Sequence, residues 1–172
     1  MIPFFLIGCC IAGGPVGWAV GPGEPAPKLT LPDVRSRLQT VPADHGKPTI
    51  LVFADREGSR QLAGWVQALY LRFSDRIDIR GVADLRQVPA FLRPAVRRLF
   101  RGPARDHVLL DWNGEASRTY AYAGGEARIV VIDAQGIVRW TGGGEASEAA
   151  LAQCIEAIGA LPDPLRPRPQ PD

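Results

Sequence analysis

Very few side chains in this 172-residue sequence could carry covalent or metal chemistry, since it holds three cysteines and two histidines. Cys9 and Cys10 stand side by side in an apolar N-terminal stretch, and Cys154 lies far downstream. A thiol attacks or ligates as its thiolate, which needs an electropositive, accessible setting. Cys154 recurs with Leu151, Ile155 and Ile158 at helical spacing. It is therefore expected to face a core, where a thiol stays protonated and inert. So few histidines and cysteines cannot build a zinc site unless carboxylates supply most of the ligands. His45 and His107 have no sequence-local Ser or Cys partner that would outline a catalytic triad. There is no P-loop, dinucleotide fingerprint or metal-ligand spacing, and no cofactor or metal is expected.

Two charged clusters remain as binding candidates. The first is the turn Asp55-Arg56-Glu57-Gly58-Ser59-Arg60, between an apolar run and a helical stripe. The N-terminus of a helix presents unpaired N–H groups, and Arg56 and Arg60 add positive charge, so the turn could hold a small anion or carboxylate. Equally, Asp55 or Ser59 could cap the helix while the arginines form surface ion pairs. The second cluster is Arg93, Arg97, Arg98, Arg101 and Arg105, around the end of a second helix. It could dock an acidic partner or an anionic lipid surface, or it could be a solvated helix face that suits the helix dipole.

The chain as a whole limits these options. Twenty basic and 18 acidic residues leave a net charge of +2, too small for a bulk electrostatic drive toward nucleic acid. Ile2 to Val20 carry no charge, and the apolar stretch breaks at Gly13, Gly14 and Pro15. It is shorter than the ~20 residues of a membrane span. It fits the apolar part of a secretory signal, with small residues near Ala19 and Gly21 for cleavage, although no Lys or Arg precedes it. Leu6-Ile7-Gly8-Cys9 also fits the pattern that precedes lipid attachment in bacterial lipoproteins. The expected division is a signal over 1–20, a domain over 21–160 and a Pro-rich tail over 161–172. The expected location is the periplasm or another exported site, with membrane contact only through an uncleaved N-terminal segment.

Hydrophobic periodicity supplies the elements. Leu29, Leu31, Leu38 and Val41 predict a small hairpin. Thr49 to Ala54 is a continuous apolar run, as a strand buried on both faces requires. Leu62, Trp65, Val66, Leu69 and Phe73 form one helical stripe. Strands are predicted at Ile77 to Val82, Val108 to Leu110 and Arg128 to Ile132. A hairpin turn at Asp133 to Gly136 leads to a last strand, Ile137 to Trp140. Helices are predicted over Val88 to Phe100, with Pro89 and Pro94 at its start or kinking it, over Gly114 to Tyr122, and after a Ser147 cap. Alternating strands and helices, ending in a hairpin and a helix, give a three-layer α/β domain with a mixed sheet.

Three local signatures resemble the thioredoxin-like superfamily, in its redoxin branch of peroxiredoxin-like and periplasmic thiol–disulfide proteins. Gly23-Glu24-Pro25-Ala26-Pro27-Lys28-Leu29-Thr30-Leu31-Pro32-Asp33 is similar to its G-x-x-A-P-x-F-x-L-x-D opening. Gly46-Lys47-Pro48 with the following strand is similar to its G-K-P motif. Val130 to Val138 is similar to its F-x-I-D-x-x-G-x-I segment. The resemblance implies a thioredoxin-like α/β/α fold with an N-terminal hairpin and a terminal hairpin plus helix. It also locates two departures. The positions of the branch's Cys-x-x-Cys hold Glu57 and Arg60, or Arg56 and Ser59 in the adjacent register. The position of its cis-proline holds Ala127, where a trans peptide is expected. The implied function is a non-catalytic binding or accessory domain whose partner is a protein or a small anion. The alternative is a redoxin-type oxidoreductase or antioxidant protein working through Cys154 or a partner's thiol.

Overall fold

The computed structural model describes residues 20–102 and 107–161. The expectations for Cys9, Cys10, Arg105, the signal and lipid-attachment motifs up to Ala19, and the tail from Pro162 fall outside the described residues. Among the described residues, seven strands and four α-helices follow one another in the anticipated order. β1 (Leu29–Pro32) and β2 (Leu38–Val41) form an antiparallel hairpin. β3 (Thr49–Ala54) is buried at all six positions. Then come α1 (Leu62–Phe73), β4 (Asp78–Asp84), α2 (Arg93–Leu99), β5 (Val108–Asp111) and α3 (Glu115–Thr119). β6 (Arg128–Ile132), β7 (Val138–Gly143) and α4 (Glu148–Gly159) complete the domain.

The main sheet has the order β5-β4-β3-β6-β7. β3, β4 and β5 run parallel, while β6 and β7 are antiparallel to their neighbours. Alternation along the strands divides the core. Ile50, Val52, Ile129 and Val131 pack with Trp65, Leu69 and Phe73 of α1 and with Cys154 and Ile158 of α4. Leu51, Phe53, Val130 and Ile132 face the other way, against Leu29 and Leu31 of the hairpin and Tyr120 and Tyr122 beyond α3. These two faces are the outer layers that the periodicity required. Val20 is 6% exposed and belongs to the second cluster, so packing reaches the last residue of the segment expected as a signal.

Several bounds differ from the sequence expectation, each for a local reason. The helix expected over Val88 to Phe100 is a 3-10 turn, Ala90–Leu92, followed by α2. Pro89 holds an extended ψ of 144° before the turn, and Pro94 sits in the first turn of α2, where no N–H is needed. α3 stops at Thr119, because the chain turns at Ala121 (φ 50°) to send Tyr120 and Tyr122 inward. Val66 lies on the edge of the α1 stripe and is 39% exposed. β7 runs on to Gly143 because Ile129 and Arg128 pair with Gly142 and Gly143; it carries a bulge at Arg139, and its opening residues also bond the N-terminal segment. There Gly23 N donates to Val138 O, Val138 N to Glu24 O and Ala26 N to Gly136 O.

One device ends most of these strands. Asp33, Asp55, Asp84, Asp111 and Asp133 each follow or close an apolar strand, and each carboxylate accepts backbone N–H groups from the next turn. Asp111 is 1% exposed and accepts from Glu115 N (2.9 Å), Ser117 N (2.8 Å) and Ser117 Oγ (2.9 Å), which caps α3. Asp111→Ala removes the cap and leaves buried donors unpaired. It should lower unfolding free energy by about 2–3 kcal/mol, read as a fall in the urea midpoint at unchanged slope.

Candidate functional site

The turn after β3 is held by Asp55. Its Oδ1 accepts from Glu57 N (3.0 Å) and Gly58 N (2.8 Å), and its Oδ2 accepts from Gly125 N (2.8 Å) across the domain. Its own N–H donates to the Tyr122 hydroxyl at 2.8 Å. Burial alone would raise the Asp55 pKa. The N–H donors of Gly58, Gly125 and Glu57 outweigh it and hold the carboxyl below its ordinary 3.8. Tyr122, desolvated beneath the turn, is pushed up to about 12 and stays a neutral phenol.

The loop before β6 is locked to the same turn. Gln61 Oε1 accepts from Ala127 N at 2.8 Å. Gly58 is buried so tightly that a Cβ there would lie 2.8 Å from Glu126 C, 2.9 Å from Glu126 O and 3.0 Å from Ala127 N. Space between turn and loop is thus filled by backbone against backbone. Ala127 is 2% exposed, and the only cis peptide among the described residues is Val41–Pro42, so Ala127 is trans.

The sequence-marked side chains divide accordingly. Asp55 engages the N–H groups of Glu57 and Gly58 at the head of a 3-10 turn, Gly58–Gln61, that leads into α1; α1 itself starts at Leu62 without a side-chain cap from Asp55 or Ser59. Ser59 Oγ donates to Arg56 O (2.8 Å), a local turn contact. Arg56, Glu57 and Arg60 are exposed, and none forms an ion pair with a described residue, so the surface ion pairs envisaged for the arginines are absent there. Cys154 is wholly buried, and burial pushes its thiol up to about 12. His45 Nδ1 accepts from Lys47 N, so Nε2 donates to Asp78 Oδ2 at 2.9 Å, in a pair with no nucleophile beside it. Among the described residues no group of three or more His, Cys, Asp or Glu could hold a metal, and no helix is long and apolar enough to cross a membrane.

The second cluster also divides. Arg93 and Arg97 are half-buried against Trp112, whereas Arg98 and Arg101 are exposed. The solvated-face reading fits only the latter pair. Gln61, Tyr122, Gly125 and Trp112 were not singled out as site residues. Gln61 reads as an ordinary first-turn residue, and Tyr122 meets Asp55 across 67 positions, a pairing without any local signal.

Gly58→Ala should cost about 1–3 kcal/mol, because the atoms it meets are backbone and cannot rotate away. Denaturation midpoints and amide shifts at Glu126 and Ala127 would read this. The Asp55 carboxyl, depressed in the folded state, contributes stability that is complete at neutral pH and is lost as pH falls below about 3.8. Asp55→Asn should therefore show a shallower acid limb than wild type in melting temperature against pH.

No protein-family model matches the sequence, and no curated protein matches it significantly. Solved structures do match in fold. A structure assigned as a thiol:disulfide interchange protein, DsbE, from Chlorobium tepidum superposes with a TM-score of 0.63 at 23% identity, over 81% of this chain and 99% of that one. The exposed lipoprotein thioredoxin of Streptococcus pneumoniae gives 0.57 at 19% identity, over 76% and 98%. A thiol peroxidase from Chromobacterium violaceum gives 0.58 at 15% identity, over 82% and 89%. With its central β3 flanked by parallel β4 and antiparallel β6, and helices α1 and α4 on one face, the chain has the thioredoxin-like fold.

Proposed function

We propose that this thioredoxin-like domain is a non-catalytic binding or accessory protein. One observation carries the reading: the turn that would present a dithiol holds Glu57 and Arg60, and its facing loop is fastened by Asp55, Gln61 and Gly58. A disulfide substrate needs both an attacking thiolate and room beside it. The one described cysteine has neither, being enclosed and protonated. Export through the N-terminal segment belongs to the same proposal. It is supported by the uncharged stretch Ile2 to Val20 and by an exposed lipoprotein among the fold's neighbours.

The second reading is a redoxin-type oxidoreductase or antioxidant protein, favoured by the thiol-linked names of the neighbouring structures. Insulin-disulfide reduction and hydrogen peroxide consumption by the full chain separate the two. The expected rates match the protein-free background, and Cys154→Ser changes nothing. Turnover that Cys154→Ser or Cys9→Ser/Cys10→Ser abolishes would replace the binding reading with the enzymatic one. In the Cys9→Ser/Cys10→Ser chain, a thiol reagent should label Cys154 at least ~100-fold more slowly in native buffer than in denaturant, because access requires opening of the core.

A further inference from the structure

Most arginines described with an ionic partner hold an aspartate: Arg37 bonds Asp33, Arg80 bonds Asp78, Arg86 bonds Asp84 and Arg139 bonds Asp133. Two half-buried arginines on α2 break this pattern. Arg93 and Arg97 stand one helical turn apart, so they share a face. Both lie over Trp112, with Cζ 5.4 Å and 5.9 Å from the ring centroid. Arg93 Nη2 donates to Trp112 O (3.3 Å), and Arg97 Nη1 donates to Ser36 Oγ (2.7 Å). No carboxylate among the described residues pairs with either guanidinium.

Three donors in this cluster are also buried without an acceptor: Arg93 Nε, Arg97 Nε and Trp112 Nε1. Trp112 itself is 8% exposed. Two like charges one turn apart repel, and each unpaired buried donor is unfavourable. Both strains would be relieved by one acceptor carrying negative charge. Arg97 shows the geometry it would take. Its Nη1 is used by Ser36, which leaves the Nε–Nη2 edge, the pair that grips a carboxylate side-on. Arg80 shows that an Nε–H of this chain takes a carboxylate, since its Nε is shared between the two oxygens of Asp78 at 2.9 Å and 2.8 Å. Arg97 Nε is itself enclosed, so gripping a carboxylate by this edge requires the guanidinium to turn outward.

We propose that Arg93, Arg97 and Trp112 form a binding site for a carboxylate group, gripped by the Nε–Nη2 edge of Arg97. The site is separate from the turn after β3, so it stands or falls independently of the thiol assays above. The test uses the full chain and sodium succinate, at ionic strength held constant with sodium chloride. The Trp112 indole N–H resonance, assigned through Trp112→Phe, and the Arg97 Nε–H resonance report the titration. The expected result is a saturable shift of both. Arg97→Lys keeps the charge but loses the edge, and should weaken succinate binding at least tenfold. The exposed Arg98→Ala should leave it unchanged. Should Arg97→Lys fail to fold, the Arg97 Nε–H resonance of the unsubstituted chain still tests the edge, because it must shift with succinate. A pentaglutamate peptide binding more tightly than succinate would assign the carboxylate to an acidic protein partner, and the reverse to a small organic acid. A linear, unsaturable shift, an equal effect of Arg98→Ala, unweakened binding in Arg97→Lys, or phosphate binding as well as succinate would overturn the proposal.

Discussion

A carboxylate that collects backbone N–H groups where a buried strand ends is the interaction on which this domain depends. β3 is enclosed at every position, and β6 beside it is buried over most of its length, while β4 on the other side is largely half-buried. Where such a strand stops, the chain must reverse without stranding polar backbone in a low-dielectric interior. Asp33, Asp111 and Asp133 solve this with carboxylates that are themselves almost wholly buried. Each accepts several hydrogen bonds there. At Asp33 burial acts to raise the pKa, yet the donors of Arg37 and Arg35 bring it below the ordinary value.

The same solution at β3 determines what the site can do. A helix N-terminus offers N–H groups to whatever anion stands there, and a thiolate is one such anion. Here Asp55 takes the N–H groups of Glu57 and Gly58 for itself and reaches on to Gly125. The turn and the loop before β6 are thereby joined, and tied a second time by Gln61 and Ala127. Structural satisfaction and anion binding compete for the same donors, and structure holds them. At Trp112 the situation is reversed: donors and charge are gathered, and the acceptor is missing.

The elements were legible because their signals are local. The six-residue apolar run of β3, the spacing of Trp65, Leu69 and Phe73, and the Ser147 cap each follow from residues within one or two turns. The absence of sulfur from the turn after β3 was legible for the same reason. The closure of that turn was not, because Gly58 against Glu126 and Asp55 against Tyr122 join segments about 70 positions apart. The arginines of α2 misled for a related reason. On a helical wheel they are surface cations, and only the chain's return at Trp112 gives two of them a ring to lie on.

The short N-terminal segment that bonds Gly136 and Val138 has a colloidal consequence. β7 is an outer strand, and an uncovered outer strand is a template on which another chain can add. Glycines Gly142 and Gly143 at its far end offer few side chains to obstruct such growth. The Gly23–Ala26 stretch occupies the opening of that edge with its own backbone. This stretch therefore blunts the edge, and removing Gly23–Ala26 would leave the backbone of Gly136 and Val138 open to pairing with another strand.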